Sequence, residues 1–212
     1  MPGLFIAFEG VEGCGKSTQA RLLGRWLEAR GVPHRLTREP GGTAVGEQIR
    51  TLLLHSGDIG AETELLLMLA ARAAHVREVL EPALRSGEIV ISDRYELSTF
   101  AYQALGRDLG LERVKTLNSL ATGGLKADLN LVLDVESSQG SARRAQRGGG
   151  QDRIERESAA FHARVAEAYR LLASTEPAVA LVNGRPVAEA VHQSILQLLQ
   201  ARFSETFPSK AG

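Results

Sequence analysis

Apolar positions along the chain fall into two alternating patterns. Five short β-prone runs, Leu4–Phe8, His34–Thr37, Glu88–Ser92, Leu129–Val135 and Val179–Val182, predict strands. Between them apolar side chains recur at helical spacing, first at Ala20, Leu23, Trp26 and Leu27, later at Ile154, Phe161, Val165, Tyr169 and Leu172. Strands separated by helices predict an α/β fold, a parallel sheet with helices on both faces. Ile89-Val90-Ile91 and Leu131-Val132-Leu133 are continuously apolar, as strands buried on both sides must be. The stretch Glu64–Ala71 is apolar nearly all round, so its helix needs a second buried face. A dimer contact or burial within one chain would each supply one.

At 212 residues the chain can bury one full core, and no interruption is long enough to mark a second domain. One domain over residues 1–207 is expected, with residues 208–212 a frayed tail and Gly148-Gly149-Gly150 a mobile loop. The 25 Lys and Arg balance the 25 Asp and Glu, so no global field recruits nucleic acid or an anionic membrane. A polyanionic ligand must find a local cluster of arginines. Cys14 stands alone, which excludes an internal disulfide, and His34, His55, His75, His162 and His192 have no metal spacing. With no basic leader before a longer apolar stretch and no run that could span a bilayer, the expected location is the cytoplasm.

Chemistry enters with residues 9–18, EGVEGCGKST, where the first strand gives way to a helix. Gly10-x-x-x-x-Gly15-Lys16-Ser17 is the phosphate-binding loop pattern in its required strand-loop-helix context. Glycines let consecutive amides wrap a phosphate chain, and the helix N-terminus adds positive potential. Lys16 supplies a mobile ammonium, and the Ser17 hydroxyl can join a magnesium shell. Thr18 caps the turn or packs. Cys14 is either a redox-sensitive thiol near a helix N-terminus or a small residue that fits between backbone and phosphate.

What is done to the phosphate depends on the other strand ends. No Asn-Lys-x-Asp for guanine follows a later strand, which argues against a switch GTPase. Motor and transport ATPases follow their second magnesium strand with a glutamate that activates water; here that strand ends Ile91-Ser92-Asp93-Arg94. Asp93 can help hold a magnesium ion and its waters, whereas Arg94 is a phosphate clamp. Glu9, at the end of the first strand, receives no role.

Taken together, Gly10–Thr18, TREPGGT at Thr37–Thr43, AAR at Ala70–Arg72, SDRYELSTFAYQ at Ser92–Gln103 and DRIE at Asp152–Glu155 resemble bacterial thymidylate kinases. Those enzymes convert dTMP and ATP to dTDP and ADP. The likeness runs from about residue 3 to residue 200, and TREPGG followed by DRY and AYQ is far more specific than the loop alone.

The resemblance implies a three-layer P-loop NTPase-like fold with a five-stranded sheet in the order 2-3-1-4-5, a homodimer, ATP as co-substrate and Mg²⁺ held by Ser17 and Asp93, partly through water. Gly10, Val11, Glu12, Gly13, Cys14, Gly15, Lys16, Ser17 and Thr18 would hold ATP, with Arg143 and Arg147 from a lid. Arg38 and Arg94 would face the dTMP phosphate, with Arg50 near it. Arg72 would bond a thymine carbonyl, Thr99 and Gln103 would read the base edge, and Ser98 of the same stretch would also bind dTMP. Tyr102 would sit beside the sugar, Glu12 near its 3′-hydroxyl, and Glu39 would shape the pocket. Met68 stands where many relatives stack a phenylalanine on thymine, and Ala104-Leu105-Gly106-Arg107 replaces a Gly-rich string.

Val11-Glu12-Gly13-Cys14 contains no arginine, while Arg143, Arg144, Arg147 and Arg153 surround the three glycines. The chain therefore resembles members whose catalytic cations come from a lid, here about residues 143–153. Lys16, Arg94, Arg153 and Glu12 are the expected catalytic residues. A kinase acting on dUMP or on both pyrimidines, and a non-catalytic nucleotide sensor, are the alternatives.

Overall fold

The computed structural model describes residues 3–136, 138–140, 142–143 and 152–207. Five strands, β1 (Leu4–Glu9), β2 (His34–Arg38), β3 (Ile89–Asp93), β4 (Leu129–Asp134) and β5 (Val179–Asn183), form one parallel sheet in the order β2-β3-β1-β4-β5. Each strand boundary lies within one residue of the position its apolar run predicts.

Successive side chains of a strand point to opposite faces, and each face has its own core. Ile6 and Phe8 of β1 and Ile89 and Ile91 of β3 pack with Leu23 and Leu27 of α1 (Lys16–Glu28). Phe5, Ala7 and Val90 pack instead with Val76, Leu80 and Ala83. Helices thus cover both faces, and the central strands are buried throughout. The edge strands are less covered: Leu36 of β2 and Leu181 of β5 are each about half exposed.

Further helices among the described residues include α2 (Ala44–His55), α3 (Ala61–His75), α4 (Glu81–Arg85), α5 (Glu96–Thr99), α6 (Leu111–Thr122), α7 (Ala159–Thr175) and α8 (Ala188–Arg202), and residues 138–140 and 142–143 are also helical. Val76–Leu80 joins α3 to α4 in π-helical turns, and Phe100–Gly106 continues α5 the same way. The late helical pattern needs one correction. Ile154 precedes α7, because the Ser158 hydroxyl accepts from Phe161 N–H at 3.2 Å and starts the helix there. Ile154 still packs against the core from its turn.

The second buried face of α3 comes from within the chain. Leu65 and Leu69 face the main core, Ala71 packs with Ile49 and Leu53 of α2, and Leu67 and Met68 lie against that pair. Leu66 remains 59% exposed.

Glu96, at the start of α5, is buried, and its Oε2 accepts from Asn118 Nδ2 at 3.0 Å. Burial pushes its pKa up to about 7, against the pull of Arg72 and Lys126. The folded chain therefore holds a proton that the unfolded chain releases above its ordinary value of 4.5. Stability must fall as pH rises through that window. Glu96→Gln keeps the acceptor and removes the ionisation, so its gain in melting temperature over wild type is expected to grow between about pH 5 and about pH 8. A pH-independent difference in thermal melts would refute the assignment.

Candidate active site

The loop after β1 closes tightly because its glycines adopt conformations other residues avoid. Gly10, Gly13 and Gly15 have φ of 131°, 73° and 106°. Space forbids a side chain as well: a Cβ on Gly10 would lie 2.8 Å from the Leu133 carbonyl, and one on Gly13 would run into that of Gly140. Lys16, the first residue of α1, folds back over the loop and donates to the carbonyls of Gly10 at 3.0 Å and Val11 at 2.9 Å. Burial and Arg94 pull its pKa down, but Cys14, Glu12 and Asp93 outweigh them, so the buried ammonium stays charged. Ser17 donates its hydroxyl proton to Asp93, the last residue of β3.

Arg94 follows with φ of 79°, a left-handed conformation rare outside glycine. Its amide continues the sheet by donating to Phe8 O at 2.9 Å. Its guanidinium pairs with Glu12 and donates to Gly10 O at 3.2 Å, Ser98 Oγ at 2.9 Å and Tyr169 Oη at 3.2 Å. Burial opposes that charge, yet Glu12 holds its pKa well above the usual range.

These strand ends floor a cleft of about 330 Å³. Glu12, Gly13, Gly15, Lys16 and Ser17 line the loop side, with Asp93 and Arg94 at the centre. Arg38, Glu39, Pro40, Arg50 and Met68 line the far side, with Ser98, Tyr102 and Gln103 from the α5 region and Asp152, Ile154 and Glu155 from the segment before α7. Four cations, Lys16, Arg38, Arg50 and Arg94, therefore reach one concavity where the strand order diverges around β1. Such a site suits two phosphate-bearing ligands meeting end to end.

Comparison with known proteins agrees. The thymidylate kinase family model matches residues 8–195. A thymidylate kinase of Trichormus variabilis is 45% identical over 209 residues, covering 97% of this chain and 99% of that protein. Those of a Nostoc species and of Pelobacter propionicus are 44% and 45% identical, with 97% and 96% of this chain covered and 99% and 97% of theirs. The chain belongs to the thymidylate kinase family. It is a nucleoside monophosphate kinase, a phosphotransferase of a family that takes ATP as donor.

Some expected residues of this kinase lie one layer behind the cleft. Arg72 is 1% exposed and spends its donors within the protein: Nε on Glu39 at 2.7 Å, Nη1 on Thr99 at 2.9 Å and Asn118 at 2.7 Å, and Nη2 on Tyr95 O at 2.9 Å. Thr99 is fully buried beside it. Thr18 lines a separate shallow groove with Arg21 and Arg25, and it does not cap α1. Arg143 donates to the carbonyls of Gly184 and Arg185 at 2.9 and 2.8 Å. Arg153 is buried, with Nε on Leu53 O at 3.0 Å and Nη2 on Glu64. Arg144, Arg147, Gly148-Gly149-Gly150 and the 208–212 tail lie outside the described residues.

Three residues matter that pattern reading passed over. His75 is buried, with Nδ1 2.9 Å from Glu39 and Nε2 2.7 Å from Thr37, so α3 grips the Glu39 carboxylate through Arg72 and His75 while Thr37 of β2 holds the far side of the imidazole. Burial pushes against ionisation of Glu39, but Arg72 and then His75 hold its pKa down. The signal was present in the sequence: Arg72 and His75 are three apart, on one helix face that also carries Leu65 and Leu69. Glu9 is fully buried and accepts from Tyr95 N at 2.7 Å, Ser98 Oγ at 2.6 Å and Tyr169 Oη at 3.0 Å, which fixes the turn after Arg94. Burial raises its pKa, partly offset by Ser98. Glu64, the third, is fully buried behind Gln103 of the cleft wall.

The Gly13 contact yields a test. Gly13→Ala adds left-handed strain and drives its Cβ into Gly140. ATP affinity by calorimetry is expected to fall about tenfold or more, with far-UV circular dichroism unchanged. Wild-type affinity would show that the loop tolerates separation from residues 138–140.

Proposed function

We propose that the enzyme transfers the γ-phosphoryl group of ATP to dTMP, giving dTDP and ADP, with the two nucleotides end to end in the single cleft. The convergence of Lys16 from one side with Arg38, Arg50 and Arg94 from the other carries this reading. The donor triphosphate lies on the amides of residues 10–17, and Lys16 leaves the Gly10 and Val11 carbonyls to meet it. Arg94 and Arg38 take the acceptor phosphate. Glu12, already paired with Arg94, meets the sugar 3′-hydroxyl. Tyr102 walls the sugar, Met68 lies against the base, and Gln103 reads its edge, backed by Arg72 and Thr99.

A hydroxyl and a carboxylate in contact, Ser17 and Asp93, are hard oxygen donors of the kind magnesium takes together with water and phosphate oxygens. A bound Mg²⁺ would neutralise charge on the phosphates. The chain itself aligns donor and acceptor and surrounds them with fixed positive charge, which is most of what phosphoryl transfer asks of a protein. The acceptor phosphate is an anion at neutral pH, so no general base is needed. Lid arginines, Arg143, Arg147 and Arg153 among them, complete the charge when the lid closes and water is excluded. Arg153 must exchange Glu64 for phosphate to take part.

The reading includes one domain over residues 1–207, a cytoplasmic location, in keeping with a buried lone thiol at Cys14, and a homodimer. α3 packs against both α2 and α6, and these helices leave Leu52, Leu66 and Leu120 at least half exposed. Wild type is expected to sediment as a dimer and Leu66→Glu as a monomer; a monomeric wild type would remove that part.

Turnover of a panel of nucleoside monophosphates with ATP and Mg²⁺ tests the reaction. dTMP is expected to be preferred, over dUMP by roughly tens-fold at most, since only the ring methyl distinguishes them. Arg94→Ala is expected to lower kcat/KM for dTMP by about a hundredfold or more. Indifference of the variant, or no preference in the panel, would overturn the acceptor assignment.

A further inference from the structure

On α3, the fully buried carboxylate of Glu64 is met from three directions. Gln103 Nε2 donates to its Oε1 at 2.7 Å, Arg107 Nη2 to its Oε2 at 3.0 Å, and Arg153 Nη2 to the same oxygen. Burial alone would push the carboxyl pKa up, but the hydrogen bonds from Arg107, Gln103 and Arg153 override it and hold it below the ordinary range. Glu64 is therefore an ionised group with nothing to donate.

An acceptor of that kind can hold only the NH₂ end of a neighbouring amide. The orientation of Gln103 is thereby fixed, with its oxygen turned away from Glu64. Among the described residues that buried oxygen has no hydrogen-bond partner, although Gln103 lines the cleft. An unmet carbonyl oxygen at a ligand site asks for an N–H donor. Thymine and uracil carry one on the ring nitrogen between their two carbonyls. Cytosine presents a bare acceptor there, which would face the amide oxygen lone pair to lone pair.

We propose that Glu64 is a positioning residue: it fixes which end of the Gln103 amide meets the acceptor base, and so makes the site select bases with a ring N–H over cytosine. This rests on the assignment of Gln103 to the base edge above. Arg107, bonded to both carboxylate oxygens, serves the selection indirectly by keeping Glu64 charged. Arg153 also ties the segment before α7 to the same carboxylate.

The test compares kcat/KM for dTMP and dCMP in wild type, Glu64→Gln, Glu64→Asp and Gln103→Leu. Glu64→Gln offers an NH₂ that can hold the flipped amide of Gln103; Glu64→Asp keeps the charge against both arginines but withdraws the acceptor by one methylene. Each is expected to raise KM for dTMP about tenfold with KM for ATP unchanged, and to narrow the preference for dTMP over dCMP by a similar factor. In a Gln103→Leu background, which itself loses the preference, Glu64→Gln is expected to change nothing further. An unchanged base preference in a folded Glu64 variant, or in Gln103→Leu, would overturn the proposal, as would an effect of Glu64→Gln that persists without Gln103. If neither Glu64 variant folds, Arg107→Met, which removes a charge partner of Glu64, takes their place: it is expected to narrow the preference for dTMP over dCMP, and an unchanged preference would overturn the proposal. A folded wild type that turns over no dTMP would instead overturn the functional reading beneath it.

Discussion

A single guanidinium joins the two halves of the cleft. Arg94 bonds the carbonyl of Gly10 in the glycine-rich loop, pairs with Glu12 in the same loop, and reaches Ser98 of α5 and Tyr169 of α7 across from it. Its backbone is held in a left-handed conformation by the Phe8 pairing on one side and by Glu9, which takes the next amide, on the other. That strain persists only because the sheet and a buried carboxylate over-determine it. The position of Arg94 relative to the glycine-rich loop is thus set by the β1–β3 pairing.

Around this point the interior is unusually polar. Glu9, Glu39, Glu64, Arg72, His75 and Arg153 are all buried, each with several partners. Buried ion pairs seldom add much stability over well-packed apolar residues, because desolvation offsets the attraction. Their contribution here is directional. Arg72 and His75 leave Glu39 one position, and the arginines around Glu64 leave Gln103 one orientation. A pocket wall built this way cannot slide as an apolar wall can.

The strands were legible because a parallel sheet buried on both faces writes itself as continuous apolar runs, and Gly10 to Ser17 because a phosphate loop has few alternatives in its strand-loop-helix context. Convergence of Arg38, Arg50, Arg94, Met68 and Gln103 on one cleft follows the family motifs. Other features were hidden for physical reasons. Ile154 has helical spacing but precedes the Ser158 cap, and a hydroxyl at a helix start outweighs periodicity upstream of it. Glu64 sits in a run so apolar that its charge looked incidental. Its partners Gln103, Arg107 and Arg153 are 39, 43 and 89 residues away, and no local pattern spans that separation. Arg72 was placed correctly in the motif, but only packing reveals that four of its hydrogen bonds are already committed inside the protein.

The close approach of Gly13 and Gly140 has a mechanical consequence. Main chain rests on main chain there, and a Cβ on Gly140 would run into the carbonyl of Glu12. No rotamer lies between the two segments to absorb a displacement, and packed protein is nearly incompressible. Backbone displacement of the Glu12–Gly13 peptide toward Gly140 would therefore have to displace residue 140 as well.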